Sequence, residues 1–270
     1  MDFGMPALIE NRNLEETVSL CRELGLQFIE LNMNFPLYQL GQLENTAYFL
    51  QLARENHIYF TIHLSEDLNV CDFNPEVAGA YRRTVIRALE AAEKMRAPLL
   101  NMHMNHGIFV TLPDRKVWLF EKYKERYLEA VREFRALVDE AAEGTGVQVC
   151  IENTDGYQDF EKEAIEFYLQ SGQFALTWDI GHSHVCDNID EAFLMTHKER
   201  LRHFHIHDAY GHKNHQTLGT GEIDLKQRIG IAQECGCRCV VETKTIEALR
   251  RSVVWLKTAE YMDSEKKDTI

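Results

Sequence analysis

The chain has 270 residues, 45% of them hydrophobic, and carries a formal net charge of −14 at pH 7. That length suits one α/β barrel or two ordinary domains. No run of about eighteen apolar residues is present to span a membrane, and the acidity disfavours bulk binding to a phosphate backbone. Seven cysteines without framework-like spacing and an opening "MDFGMPALIENRN" that lacks a basic segment before an apolar core predict neither a disulfide scaffold nor a secretory signal. A reducing cytoplasm is the expected setting.

Taken in chain order, short apolar runs alternate with longer amphipathic ones. A strand near 3–8 precedes "NLEETVSLCRELG", in which Asn13 is placed as an N-cap, Glu16 follows three residues on and Gly25 ends the helix. Strands follow near 27–32 ("QFIELN"), 58–63 ("IYFTIH"), 98–103 ("PLLNMH"), 147–152 ("VQVCIE"), 174–179, 201–207 ("LRHFHIH") and 238–242. Helical periodicity fills the intervals near 43–56, 76–96, 115–143, 159–171, 188–198, 223–235 and 245–260. Strict alternation implies a parallel sheet, and eight repeats predict a single (β/α)8 barrel over residues 1–270. The tail from about 262, ending "SEKKDTI", is expected to fray. The loops after strands two and four (33–42 and 104–114) are long and carry Phe35, Tyr38, His106 and Phe109, expected with Trp118 to cover a site. "CGCRC" at 235–239 lacks a fourth zinc ligand, so its thiols are expected in the core.

The strand ends carry the chemistry. Strand three ends in His63, four in His103, five in Glu152, six in Asp179 with His182 beyond, seven in His205 and His207, and eight in Glu242. In a (β/α)8 barrel these ends share one rim, where active sites are built. Buried carboxylates and imidazoles are costly unless paired or bound to a cation. A divalent metal (Zn, Mn, Co or Mg) resolves that cost with oxygen and nitrogen ligands. Each residue alone has a plainer reading: Asp179 could cap the next helix, and His205 could hydrogen-bond inside the barrel. Gly181 is expected to allow a sharp turn, while His57, His184, His197 and His203 are placed outside the site.

The strand ends "IHLSEDLN", "NMHMNHG", "CIENTDG", "TWDIGHSH", "RHFHIHDAYGHKNHQTLGTGEID" and "VVETK" resemble the xylose isomerase-like barrel superfamily, which holds sugar and sugar-phosphate isomerases and epimerases together with endonuclease IV. The resemblance implies that Glu152, Asp179, His205 and Glu242 bind one divalent metal, with His205 preferred over His207 because Asp208 follows it by three. It places His182 against the substrate and makes His63 and His103 ligands of a second metal or neighbours of the substrate. In the endonuclease a third metal uses histidines at the positions of His182 and His215 and an aspartate at the position of Lys213. A lysine there repels a metal. Glu66 and Asp67 stand where the endonuclease approaches DNA, which is unfavourable beside a phosphodiester.

The expected activity is metal-dependent isomerisation or epimerisation of a ketose, a related polyol-ketone or a sugar phosphate. Glu152 and Glu242 would exchange the proton beside the carbonyl, and His182 would hydrogen-bond the developing oxyanion. Phe35, Tyr38, His106 and His207 are candidate substrate contacts. Lys213, Lys244 and the "GTG" turn at 219–221 are candidates for a phosphate. The expected partner is a small sugar or sugar phosphate, with no membrane or nucleic acid, and a homo-oligomer is compatible. The alternatives are an endonuclease IV-like phosphodiesterase and a barrel that binds metal or sugar without catalysis.

Overall fold

Eight short, mostly buried segments pair side by side into a closed parallel barrel: β1 (Asp2–Pro6), β2 (Phe28–Asn32), β3 (Tyr59–His63), β4 (Leu99–His103), β5 (Gln148–Glu152), β6 (Phe174–Asp179), β7 (Leu201–Ile206) and β8 (Arg238–Val241). Their order around the barrel is β1-β8-β7-β6-β5-β4-β3-β2. This computed structural model describes residues 1–262, so the tail expected to fray lies almost wholly outside the described residues. No helix among the described residues is long and apolar enough to cross a membrane.

The helices obey their local signals. The Asn13 side chain accepts the Glu16 N–H at 2.9 Å and caps Leu14–Leu24, which ends at Gly25 with φ +76°. In Pro75–Met95 the buried residues Val85, Ala88, Leu89 and Ala92 recur at helical spacing and face the barrel wall. The outer core includes Phe134, Tyr168 and Trp178, each wholly buried and each contributing roughly 1.5–3 kcal/mol if fully transferred from water.

Inside the barrel, side chains of alternate residues form layers. Leu99, Cys150 and Ala175 make a small apolar cluster of their own. Above them Glu30, Thr61, Asn101, Thr177 and His203 form a buried polar layer, and the histidines and carboxylates of the strand ends lie above that. Strand pairing brings the ends together: His103 is opposite Glu152, Thr177 opposite His203, and Asp179 opposite His205.

Three elements differ from expectation. The helix expected over 115–143 begins later, because Phe109–Thr111 and Lys116–Trp118 form an antiparallel hairpin around Pro113–Asp114, and the helices are Leu119–Lys122 and Lys124–Ala142. Phe109 and Trp118 pair across it with rings 5.0 Å apart, a cross-strand contact that outweighs the weak helical preference of the aromatic and β-branched residues. The helix expected over 188–198 shrinks to Glu191–Thr196, since Asp187 and Asn188 both take φ +55°, and a separate helix, Ile180–Val185, starts at the end of β6. The chain after β7 folds back as a second hairpin, Asp208–Tyr210 with Lys213–Gln216, turning through Gly211 at φ +55°.

Candidate metal centre

Glu152, Asp179, His205 and Glu242 each offer one ligand atom, and all four atoms lie within 4.8 Å of one another. His205 Nδ1 is 3.0 Å from Glu152 Oε1, 3.0 Å from Glu242 Oε2 and 3.8 Å from Asp179 Oδ2. Glu152 Oε1, Glu242 Oε2 and His205 Nδ1 are buried without a hydrogen-bond partner. Three orphaned polar atoms of complementary charge converging on one point are unfavourable by themselves. They fit a divalent cation, which oxygen and imidazole donors satisfy.

Neighbours hold these groups in place. Asn101 Nδ2 donates to Glu152 Oε2, and Thr177 Oγ1 donates to Asn101 Oδ1 at 2.6 Å. His63 Nε2 and His103 Nε2 each lie 3.4 Å from the same Glu152 Oε2, leaving Oε1 to the centre. Asn153 grips the end of β6: its Oδ1 accepts the Asp179 N–H at 2.8 Å, and its Nδ2 donates to the Asp179 carbonyl at 2.9 Å. Asp179 Oδ1 accepts the His182 N–H at 2.7 Å, so the helix-cap reading of Asp179 holds as well. Its carboxylate also meets His182 Nδ1 at 3.4 Å and His207 Nε2 at 3.0 Å. Lys244 Nζ lies 2.8 Å from Glu242 Oε1, and His215 Nε2 lies 3.4 Å from it.

The charges are mutually dependent. Burial opposes ionisation of Glu152, yet His205 and His103 hold it well below the usual carboxylate range; Glu242 is held low against burial chiefly by His205. Burial likewise opposes the positive charge on His205, but Glu152, Glu30 and Glu242 drive its pKa well up. His63 rises to about 9 for the same reason, through Glu152, whereas burial lowers His215. The carboxylates thus favour the positive charge on His205 and His63, and burial outweighs them at His215.

Among the described residues three further groups of donors adjoin the four: Glu30, His203 and His205 lie beneath, and two stand at the rim. His63, Glu152 and His205 form one; His182, His207 and His215 form another, with the His207 and His215 rings stacked at 4.3 Å. His207 Nδ1 accepts the His215 N–H at 2.8 Å, turning Nε2 toward Asp179. Lys213, expected to repel an ion there, is exposed at the turn of the second hairpin, and His207 completes the trio instead.

Several expectations are corrected. Tyr38 is 2% exposed and packs in the core beside half-buried Phe35, so it cannot line an open mouth. His106 pairs with buried Glu161 at 2.7 Å and stands beside Trp118 at the base of the first hairpin. The "GTG" turn offers no phosphate cradle, because Asp208 accepts the N–H groups of Ala209, Gly219, Gly221 and Ile223. Gly181 is helical, and its missing side chain makes room for a ring: a Cβ there would lie 1.8 Å from His207 Cε1. His184, in contrast, lies outside the donor groups as expected and pairs with Glu222 at 2.9 Å.

Glu30 went unnoticed in the sequence, although it lies directly below the centre. It is 2% exposed, and the one signal for it was an acid inside a strand ("FIELN") whose barrel has a polar interior.

A family model for the xylose isomerase-like TIM barrel matches residues 18–259. Uncharacterized protein MJ1614 of Methanocaldococcus jannaschii is 26% identical over 224 residues, which is 80% of each chain. Among solved structures, a D-tagatose 3-epimerase-like protein superposes with a TM-score of 0.78 at 21% identity, covering 97% of both chains. The IOLI protein with a binding zinc atom superposes with a TM-score of 0.75 at 16% identity, covering 97% of this chain and 100% of that one. At these identities the solved structures share the fold, and the family model spans nearly all of the barrel: the chain belongs to the xylose isomerase-like TIM-barrel family.

Proposed function

We propose that the chain is a divalent-metal-dependent isomerase or epimerase acting on a ketose, a related polyol-ketone or a sugar phosphate. The observation that carries this reading is the convergence of the orphaned atoms Glu152 Oε1, His205 Nδ1 and Glu242 Oε2, with Asp179, at the mouth of the barrel. The D-tagatose 3-epimerase-like and zinc-bound relatives support it.

Glu152, Asp179, His205 and Glu242 would hold the ion, and Zn, Mn, Co and Mg all suit the oxygen and nitrogen donors. Once bound, the ion supplies Lewis acidity that stabilises the charge developing when a proton leaves the carbon beside a carbonyl. Glu152 and Glu242 approach His205 from β5 and from the end of β8, so they can face opposite sides of that carbon. One removes the proton and the other returns it. Their surroundings differ, as an acid/base pair requires: Glu152 is enclosed by His63, His103 and Asn101, while Glu242 touches Lys244. His182, beside both Glu152 and Asp179, would donate to the developing oxyanion. Trp118 and Phe109 would form the apolar side of the substrate chamber.

The test is incubation with Mn2+ or Zn2+ and a pool of ketoses and ketose phosphates in deuterated water. Deuterium should enter beside the carbonyl, and the exchange should vanish in Glu152→Gln and Glu242→Gln. Sugar binding without exchange in any protein would support a non-catalytic barrel instead.

One observation favours a second reading, an endonuclease IV-like phosphodiesterase. The two further donor groups at the rim could bind further ions around a phosphate. Nicking of a duplex with an abasic site, together with no deuterium exchange, would establish that reading over the first.

A further inference from the structure

One layer beneath the rim, Glu30 of β2 reaches across the barrel to β7. Its Oε1 lies 2.8 Å from His205 Nε2, off the ideal hydrogen-bond line, and its Oε2 lies 2.9 Å from His203 Nε2. Thr61 Oγ1 donates to Oε2 at 3.1 Å. The two oxygens have separate duties: Oε2 is taken by His203 and Thr61, which leaves Oε1 to His205 alone.

A neutral imidazole has one N–H and one lone pair, and a carboxylate can only accept. The nitrogen facing Glu30 must therefore carry the hydrogen. The lone pair is left on Nδ1, the nitrogen 3.0 Å from Glu152 Oε1 and Glu242 Oε2. Packing limits the alternatives, since the His205 ring is wholly buried and stacks on His63 at 5.7 Å with planes 25° apart. Swapping its nitrogens would bring a lone pair against Glu30 and turn an N–H into the ion site.

We propose that Glu30 is a positioning residue for the metal centre. Its Oε1 holds His205 as the Nε2–H tautomer with the Nδ1 lone pair aimed at the point shared by Glu152, Asp179 and Glu242. A carboxylate behind a ligating imidazole also makes the other nitrogen a stronger donor, the role outer partners play at metal sites. This inference rests on the metal reading given above. It adds a residue that touches neither ion nor substrate.

The test uses zinc alone as the probe. Nitrogen NMR of the zinc-loaded wild-type protein should show His205 coordinated through Nδ1 with a persistent Nε2–H; coordination through Nε2 would overturn the proposal without any variant. Glu30→Gln should weaken zinc binding roughly ten- to a hundredfold, with the thermal midpoint of the metal-free protein little changed. Thr61→Val, which disturbs only Oε2, should weaken it less. Wild-type protein that binds no zinc would sink the metal reading and this inference together. Zinc bound equally well by wild type and Glu30→Gln would overturn this inference alone.

Discussion

The two hairpins on the barrel rim are built on opposite principles. The one after β7 is tied down by backbone polar groups: buried Asp208 accepts four N–H groups, and the His215 N–H is received by His207. The one after β4 exposes Ile108, Phe109, Val110 and Leu112 and is held mainly by its own rings. The first arrangement fixes the position of an imidazole beside Asp179 and Glu242. The second presents an exposed apolar surface, which suits contact with the apolar face of a ligand better than exact placement of a charge.

Removing Asp208 tests that contrast most severely. Asp208→Ala strands one buried and three part-buried N–H groups and should lower the unfolding free energy by on the order of 3 kcal/mol, read from urea denaturation. It should also dislodge His207 and His215 and cut exchange activity. A loss below about 1 kcal/mol would mean that water replaces the carboxylate and that the hairpin is not tied as described.

Gly181→Ala comes next. Helix propensity alone would favour alanine by roughly 0.5–1 kcal/mol, but the new Cβ would overlap the His207 ring at 1.8 Å. The overlap should win, with a loss of activity of roughly tenfold, corresponding to about 1.4 kcal/mol in the barrier. Full activity would show that His207 moves freely and contributes nothing at Asp179.

A smaller effect involves His106 at the foot of the first hairpin. Burial opposes its charge, but Glu161 and Asp155 outweigh it and raise its pKa above 6.5. The folded pKa thus exceeds the unfolded one. The associated stability is complete below about pH 6.5 and is lost as pH rises through the folded value. Denaturation midpoints of His106→Asn should show less of this decline than wild type; parallel profiles would remove Glu161 as its partner.

The mildest change is Ile108→Ser with Val110→Ser. Both side chains are exposed, so stability should stay within about 0.5 kcal/mol. KM for the accepted sugar should rise several-fold at nearly constant kcat. An unchanged KM would rule out this surface as a substrate contact.

What could be read from residues alone follows the same division. The alternation of elements and the polar strand ends were legible because each depends on local pattern. They predict the rim on which Glu152, Asp179, His205 and Glu242 meet. The 109–118 hairpin was not, since "KVWLFEKYKERYLEAV" continues helical periodicity backward into a segment that cross-strand pairing claims. Glu30 was hidden because an acid flanked by apolar residues in a strand looks solvent-facing until the sheet closes. Tyr38 misled for the converse reason: an aromatic in a long loop can turn into the core, as Tyr38 does.

His203, His205 and His207 stand at every second position, and their contacts run from Glu30 upward to Asp179. Because strand side chains alternate, slipping β7 by one residue would present Phe204 and Ile206 to the interior in their place. Capture of an ion at the proposed centre would then also check the register of folding. A barrel closed in the wrong register would have no imidazole to offer, so only correctly assembled molecules would gain the added stability of the bound ion.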